Sequence, residues 1–290
     1  MPHRPVLGLA LGFVGVVLFG ATLPMTRLAV ASLDPWFVTF GRASAAGLVS
    51  VVVLLALGCK PPPRVEWGRY GIVALCLITG FPGFMALAMV TTEASHGAIV
   101  MGILPLATAA ASALVTGERP SPAFWLMGLI GAAIVVAFTL RQSGGLSLSI
   151  GDLFLLAAVA AAGLGYTLSA VLTGTRPGWE VVSWMLVMAL PATLPLTYLT
   201  GPASYGAVPM TAWLAFAYLA LVSQYIGFFF WNAGLALGGI ARVSQVQLLQ
   251  TFVTLAIAAW LLGEPIGAET LAFAGVVALV VLVGTRIRSR

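Results

Sequence analysis

"FMALAMVTTEASHGAIVMGILPLATAAASALVTGE" (84–118) and "FWNAGLALGGIARVSQVQLLQTFVTLAIAAWLLGE" (230–264) decide how this chain is read. They align without a gap at an offset of 146 residues in a chain of 290. In that register Glu118 meets Glu264, His96 meets Arg242, Met101 meets Gln247 and Pro105 meets Thr251. Few residues are identical. What repeats is a pattern: a long apolar run, a Gly-Glu turn beside a proline, and a further apolar run that carries Gly131 in one copy and Gly275 in the other. Farther up, "GATLP" (20–24) resembles "GYTLS" (165–169). The chain therefore divides into two halves, 1–145 and 146–290.

The chain is 61% hydrophobic and 7% charged, with a mean hydropathy of +1.09. Soluble domains average about 25% charged residues. So apolar a chain has lipid as its natural solvent. The net charge of +5 is spread between apolar runs and forms no basic domain, which excludes a nucleic-acid partner as the reason for it. Two cysteines, Cys59 and Cys76, make neither a disulfide framework nor a thiolate metal site. The N-terminal "MPHRPVLGLALGFVGVVLFG" has a basic tip and an apolar stretch but no good cleavage site, so it reads as a retained first span.

A helix needs about 20 apolar residues to cross a bilayer. Spans are expected near 6–28, 36–58, 69–91, 94–116, 123–140, 152–173, 180–200, 211–235, 240–262 and 267–285, joined by short linkers. With the N-terminus in the cytoplasm, Arg4, Lys60, Arg64, Arg69, Arg119, Arg176, Arg242, Arg286, Arg288 and Arg290 all fall on the cytoplasmic side. Only Arg141 falls in an outer loop, with Arg27 and Arg42 near the outer ends of spans 1 and 2. Both termini are then cytoplasmic, which requires an even number of spans and supports ten. Trp36, Trp67, Trp125, Trp179, Trp213 and Trp260 sit near span ends, where interfacial aromatics belong. The expected fold is an all-α polytopic membrane protein of ten helices.

Five spans per half is an odd number, so the second half enters the membrane from the opposite side. Inverted repeats are the architecture of many secondary transporters, because two similar halves can pack in two ways, one open to each side. Duplication for stability alone is the plain alternative.

Enzyme chemistry is poorly supplied. There are two His, and His3 lies in the tail. The eight acids lie mostly at span ends. No metalloprotease, serine-hydrolase or phosphate-loop motif occurs. The expectation is no enzyme, no cofactor and no metal.

Ten helices in 5+5 inverted halves, with a Gly-Glu turn between the last two helices of each half, resemble the drug/metabolite transporter superfamily with two EamA-type domains. The resemblance covers the whole chain. Within it, overall similarity is greatest to aromatic amino acid exporters of the YddG type. The resemblance implies a central substrate cavity lined by helices 1, 3, 4, 6, 8 and 9, with helices 5 and 10 peripheral. It also implies export of amino acids, aromatic ones favoured, from a bacterial-type inner (plasma) membrane. The alternatives are a broad drug or nucleotide-sugar carrier of the same superfamily, and a structural or lipid-handling membrane protein without a transport cycle. The partners expected are a small-molecule substrate and the lipid bilayer. The oligomeric state is open, and a monomer is compatible with the sequence.

Several side chains can carry recognition. On helix 9, Ser244, Gln247, Gln250, Thr251 and Thr254 share a face within roughly 120° of arc. Amides are costly in hydrocarbon, so this face either lines a cavity or bonds a neighbouring helix. Its counterpart on helix 4 holds Met101, Pro105 and Thr108. On helix 8, Gln224, Phe228 and Trp231 share one face, and Tyr225, Phe229 and Asn232 the next. Aromatics beside amides suit a flat, partly polar ligand, and equally suit packing between helices. Tyr166 on helix 6, Phe81 and Phe84 on helix 3, and Met25 on helix 1 are candidates for the same cavity. His96 is the one group of the spanning region that titrates near neutral pH; it either snorkels to the surface or serves a gate or proton step. The candidate binding set is thus Met25, Phe81, Phe84, His96, Met101, Tyr166, Gln224, Tyr225, Trp231, Gln247 and Gln250.

Four further expectations concern architecture. Glu118 and Glu264 cap the helices they precede. Arg42 finds an acid, Asp34 or Glu93. Pro24, Pro82, Pro105, Pro191 and Pro195 interrupt their helices. Gly8, Gly12 and Gly15 form a face for close helix packing.

Overall fold

Ten apolar helical rods follow one another in a computed structural model that describes residues 5–116, 122–142, 149–173, 176–238 and 244–288. Helix 1 is Pro5–Gly20 continued by Thr22–Val30, and helix 2 is Pro35–Ala56. Helix 3 joins a 3₁₀ turn at Arg64–Glu66, Trp67–Ala74, a π-helical turn at Leu75–Gly80, and Phe81–Thr91. Helix 4 is Ala94–Met101 and Leu104–Thr116. Helices 5, 6 and 7 are Pro122–Gln142, Ile150–Thr173 and Gly178–Leu199. Helix 8 joins Met210–Ala217, a π-helical stretch at Tyr218–Ile226, and Gly227–Gly238. Helix 9 is a tight Ser244–Leu249 turn followed by Gln250–Leu262, and helix 10 is Ala268–Arg288. Among the described residues, seven rods are long and apolar enough to cross a membrane, and helices 5, 9 and 10 contribute shorter apolar stretches.

Local chemistry fixes the ends and breaks. Asp34 starts helix 2 by accepting from the backbone N–H of Trp36 (2.8 Å) and Phe37 (3.2 Å), with Pro35 in the first turn. Helix 9 stops at Gly263, whose φ of +67° is the left-handed conformation that favours glycine. Three of the five prolines mark breaks. Pro24, Pro82 and Pro105 each lie in the first turn of a second piece, where a missing N–H is tolerated. Pro24 cannot donate to the Gly20 carbonyl one turn earlier, and the Thr254 hydroxyl of helix 9 takes that acceptor at 2.8 Å. Pro191 and Pro195, by contrast, lie inside a continuous helix 7.

The two π-helical stretches fall at corresponding places. The 146-residue offset carries Leu75–Gly80 of helix 3 into Tyr218–Ile226 of helix 8. Packing follows the same correspondence. Helix 1 packs on helix 8 as helix 6 packs on helix 3, and helix 9 packs on helix 1 as helix 4 packs on helix 6. Helix 2 pairs with helix 7, and helix 5 with helix 10. The helix contacts are therefore consistent with an internal two-fold relation.

The glycine face of helix 1 is used as expected. A methyl built on Gly234 would lie 2.7 Å from the Gly12 nitrogen and 2.9 Å from the Gly8 carbonyl oxygen, and one on Gly15 would lie 3.2 Å from the Trp231 backbone. Helices 1 and 8 thus touch backbone to backbone, which only small residues permit. The outer surface is apolar: Leu55, Leu114, Leu199 and Trp260, the last 83% exposed, all point away from the bundle. Such a surface suits a lipid solvent rather than water.

Candidate functional site

The irregular pieces carry the polar contacts. Thr22 begins the second piece of helix 1, and its Oγ1 lies 2.8 Å from Ser223 Oγ in the π-helical stretch of helix 8. Arg42 of helix 2 donates from a terminal guanidinium nitrogen to the same Ser223 Oγ at 3.1 Å. Arg42 is 3% exposed, and its Nε is buried without a partner. Neither expected acid reaches it among the described residues: Asp34 is spent on its helix cap, and Glu93 forms no ion pair with it. The Ser223 hydroxyl meets the guanidinium instead, and the break after Gly20 and the π stretch set Thr22 beside that serine.

A second polar centre closes one end of the bundle. Both Glu264 oxygens accept from helix 4, from Ala94 N–H at 2.9 Å and Ser95 N–H at 2.8 Å. Contrary to the expectation from sequence, Glu264 caps helix 4 and not the helix that follows it. The left-handed Gly263 ahead of it reverses the chain, and the carboxylate satisfies the free N–H groups of a helix in the other half. Arg27 of helix 1 stands 3.5 Å from Glu264 Oε1 and also donates to the Thr92 carbonyl. At the same end His96 Nε2 lies 2.6 Å from Asp152 Oδ1, and Arg141 pairs with Glu269. Phe37 packs against Tyr205, Trp213 and Phe216 there too. Apart from the bond between Arg27 and Thr92, each of these contacts joins residues before 146 to residues after it. Glu118 and Arg242, the repeat counterparts of Glu264 and His96, lie outside the described residues.

Helices 4 and 9 differ along their length. Ala94–Met101 packs on Gln250–Leu262, and Thr251 donates toward the Ala98 carbonyl at 3.4 Å. At the other end Leu104–Thr116 packs on helices 6 and 10, whereas Ser244–Leu249 packs on helices 1 and 10.

The predicted binding residues distribute over this frame. Phe81, Met101 and Tyr166, from helices 3, 4 and 6, come together around the buried Leu104, Val159 and Ala162, with the Phe81 and Tyr166 rings 6.5 Å apart. Phe84 stacks on Phe154 of helix 6 at 6.4 Å. Met25 packs with the starts of helices 2 and 8. His96 faces helices 5 and 6, with Phe138 5.0 Å from its ring. The two faces read on helix 8 are both present, and each meets a neighbour. Phe228 and Trp231 turn to helix 1, at Phe19 and Gly15, while Tyr225, Phe229 and Asn232 turn to helix 7, at Ser183, Trp179 and Gly178. Gln224 is buried beside Ser223. On helix 9, Thr251 and Thr254 bond neighbouring carbonyls. Gln247 and Gln250 are half-buried, and their side chains bond no other described residue. The side chains of Ser244 and Pro105 lie outside the described set.

Sequence reasoning left out Thr22, Ser223, Asp152 and the true partners of Glu264 and Arg42. An arginine within an apolar helix was the signal for Arg42. Nothing local marks the Ser223 hydroxyl that meets it, or the Thr22 hydroxyl beside that serine. No group of three or more His, Cys, Asp or Glu gathers as a metal site among the described residues.

The model of the EamA-like transporter family matches this sequence twice, over residues 6–140 and 149–285. The chain belongs to the EamA-like transporter family. It is 43% identical to the uncharacterized transporter YdeK of Bacillus subtilis, over 88% of this chain and 89% of that one. It is 24% identical to the uncharacterized transporter YyaM of the same organism, over 92% and 88%. A solved crystal structure, 20% identical, superposes with a TM-score of 0.65 over 98% of this chain and 96% of its own, a likeness that speaks to the fold alone. Members of the EamA-like family are transporters and not enzymes, so the chain is a multi-pass membrane transporter. Its bacterial relatives fit a place in the bacterial inner membrane.

Proposed function

We propose that the chain exports amino acids, aromatic ones foremost, and related small metabolites by alternating access between two inverted halves, 1–145 and 146–290, with both termini cytoplasmic. The observation that carries this is the uneven packing of helices 4 and 9. They are joined at the Glu264 end, and at the other end each leans on different helices. With arginine and lysine concentrated on the cytoplasmic side, the joined end is the outer one, and the molecule faces inward. The family model matching once on each side of residue 145 supports the two-unit reading. Aromatic substrates and the outward direction rest on the YddG-type resemblance. The tyrosine and phenylalanine gathered at Met101, with the uncommitted amides of Gln247 and Gln250, suit such a ligand.

Substrate binds between the halves and shifts the population from one packing to the other. Movement runs down the substrate gradient, since His96 is held by Asp152 and no carboxylate lies at mid-span among the described residues. The test is flux of labelled phenylalanine, tyrosine and tryptophan in proteoliposomes at several pH values. Saturable flux is expected, lowered by Gln247→Ala and by Trp231→Ala at unchanged membrane expression. Absence of saturable flux refutes the exporter reading, and undiminished flux in both variants refutes the site.

A further inference from the structure

An arginine inside an apolar bundle needs a reason. A guanidinium removed from water is costly unless its charge and its donors are met. Arg42 has five N–H donors. One terminal nitrogen reaches a neutral hydroxyl, Ser223 Oγ, at 3.1 Å, and Nε is buried with nothing to donate to. No acid of the described chain pairs with Arg42: Asp34 serves helix 2, Asp152 His96 and Ser149, Glu180 Arg176, Glu264 helix 4 and Arg27, and Glu269 Arg141, while Glu66 and Glu93 form no ion pair. The titratable group that bears on Arg42 is the phenol of Tyr166 on helix 6, which carries no charge to balance it. Among the described residues, Arg42 is therefore a buried cation without a counter-ion.

Its surroundings are those of a recognition point. Ser223 accepts from Arg42, which leaves the serine hydroxyl hydrogen for Thr22 Oγ1 at 2.8 Å. Both hydroxyls come from irregular backbone, the break in helix 1 and the π-helical stretch of helix 8, and such interruptions in membrane helices recur at functional sites. Thr22 and Arg42 belong to the first half and Ser223 to the second, so the cluster lies on the seam between the halves. Tyr166, whose phenol bears on Arg42, also packs in the aromatic group around Phe81 and Met101.

We propose that the Arg42 guanidinium, with the Thr22 and Ser223 hydroxyls, forms a subsite for the carboxylate of the transported molecule, so that the substrate supplies the counter-ion the protein lacks. A planar fork of donors matches a carboxylate, and the bond is charge-assisted. The inference rests on the transport reading for its substrate and adds the requirement for an anionic head.

The test separates head groups that share one ring. Thermal unfolding of the purified full chain in detergent is followed with L-phenylalanine, 3-phenylpropionate or phenethylamine, for wild type, Arg42→Gln and Arg42→Lys. Both carboxylates should raise the wild-type midpoint in a saturable way, and the amine should not. Arg42→Gln should abolish the response, and Arg42→Lys should raise the half-saturating concentration at least about ten-fold, having lost the fork. The lysine variant decides the matter alone if the glutamine variant does not fold. An amine as effective as the carboxylates, an undiminished response in Arg42→Lys, or no response of wild type to either carboxylate overturns the subsite. Flux is read separately. A carboxylate response without saturable flux sinks the transport reading and keeps the subsite. Flux of all three compounds alike, with no carboxylate preference, does the reverse.

Discussion

His96 Nε2 lies 2.6 Å from Asp152 Oδ1, and this contact ties the first turn of helix 4 to the first turn of helix 6 across the two halves. The other oxygen of Asp152 accepts from the Ser149 N–H (2.9 Å) and hydroxyl (2.7 Å). With Phe138 against its ring, the imidazole is clamped between helices 5 and 6.

Removing the clamp should destabilise the fold. Asp152→Ala strands the Ser149 N–H and the histidine, an expected loss of about 1–3 kcal/mol. Thermal unfolding in detergent measures it, and an unchanged midpoint contradicts the role. His96→Gln should respond to an imposed pH gradient as wild type does. A flux whose pH response vanishes in that variant would return a proton step to His96.

Glu264→Ala leaves two backbone donors of helix 4 without acceptors in a buried position. At about 1–3 kcal/mol for each stranded group, a loss of roughly 2–6 kcal/mol is expected. Glu264→Gln keeps one acceptor and should lose roughly half as much. The order of the three midpoints, wild type above Gln above Ala, is the measurement; equal midpoints would mean that water caps helix 4 equally well.

Gly234→Ala places a methyl 2.7 Å from the Gly12 nitrogen, where backbone and not a pliant side chain must yield. Overpacking of this kind costs about 1–3 kcal/mol. Gly275→Ala is the control, since its added methyl meets nothing within 4 Å. Folded yield by size-exclusion chromatography should fall for the first and hold for the second.

The Tyr225 hydroxyl is engaged within the bundle, bonding Ser183 Oγ at 2.8 Å. Ser183 keeps its bond to the Trp179 carbonyl when that partner is lost. Tyr225→Phe should therefore keep flux within about two-fold and cost about 0.6 kcal/mol of stability, the typical worth of such a bond between membrane helices. A large loss of flux with intact stability would place the hydroxyl in the site.

Much of this was legible because it is local. Hydropathy located the rods, Gly8 and Gly12 announced a close approach, and the 3.6-residue period grouped Phe228 with Trp231 and Tyr225 with Phe229. What each face meets is not local, so packing and binding stayed indistinguishable on helix 8. Glu264 misled for the same reason. A carboxylate ahead of a helix caps that helix by default, and only the fold brings Ala94 and Ser95 within 3 Å. Arg42 was expected to find an acid because acids are what sequence displays as partners. Two hydroxyls in apolar helices give no such sign, and neither the break at Ala21 nor the π stretch of helix 8 has a periodic signature that would bring them together.

The reach of Glu264 also orders the making of the molecule. Helix 4 emerges from synthesis about 170 residues before the carboxylate that completes its first turn. Until then the N–H groups of Ala94 and Ser95 depend on water or lipid headgroups. The first five helices can enter the bilayer early, but they reach their final form only when nearly the whole polypeptide has been made. A nascent chain released before residue 264 would carry an open helix end at Ala94 and Ser95.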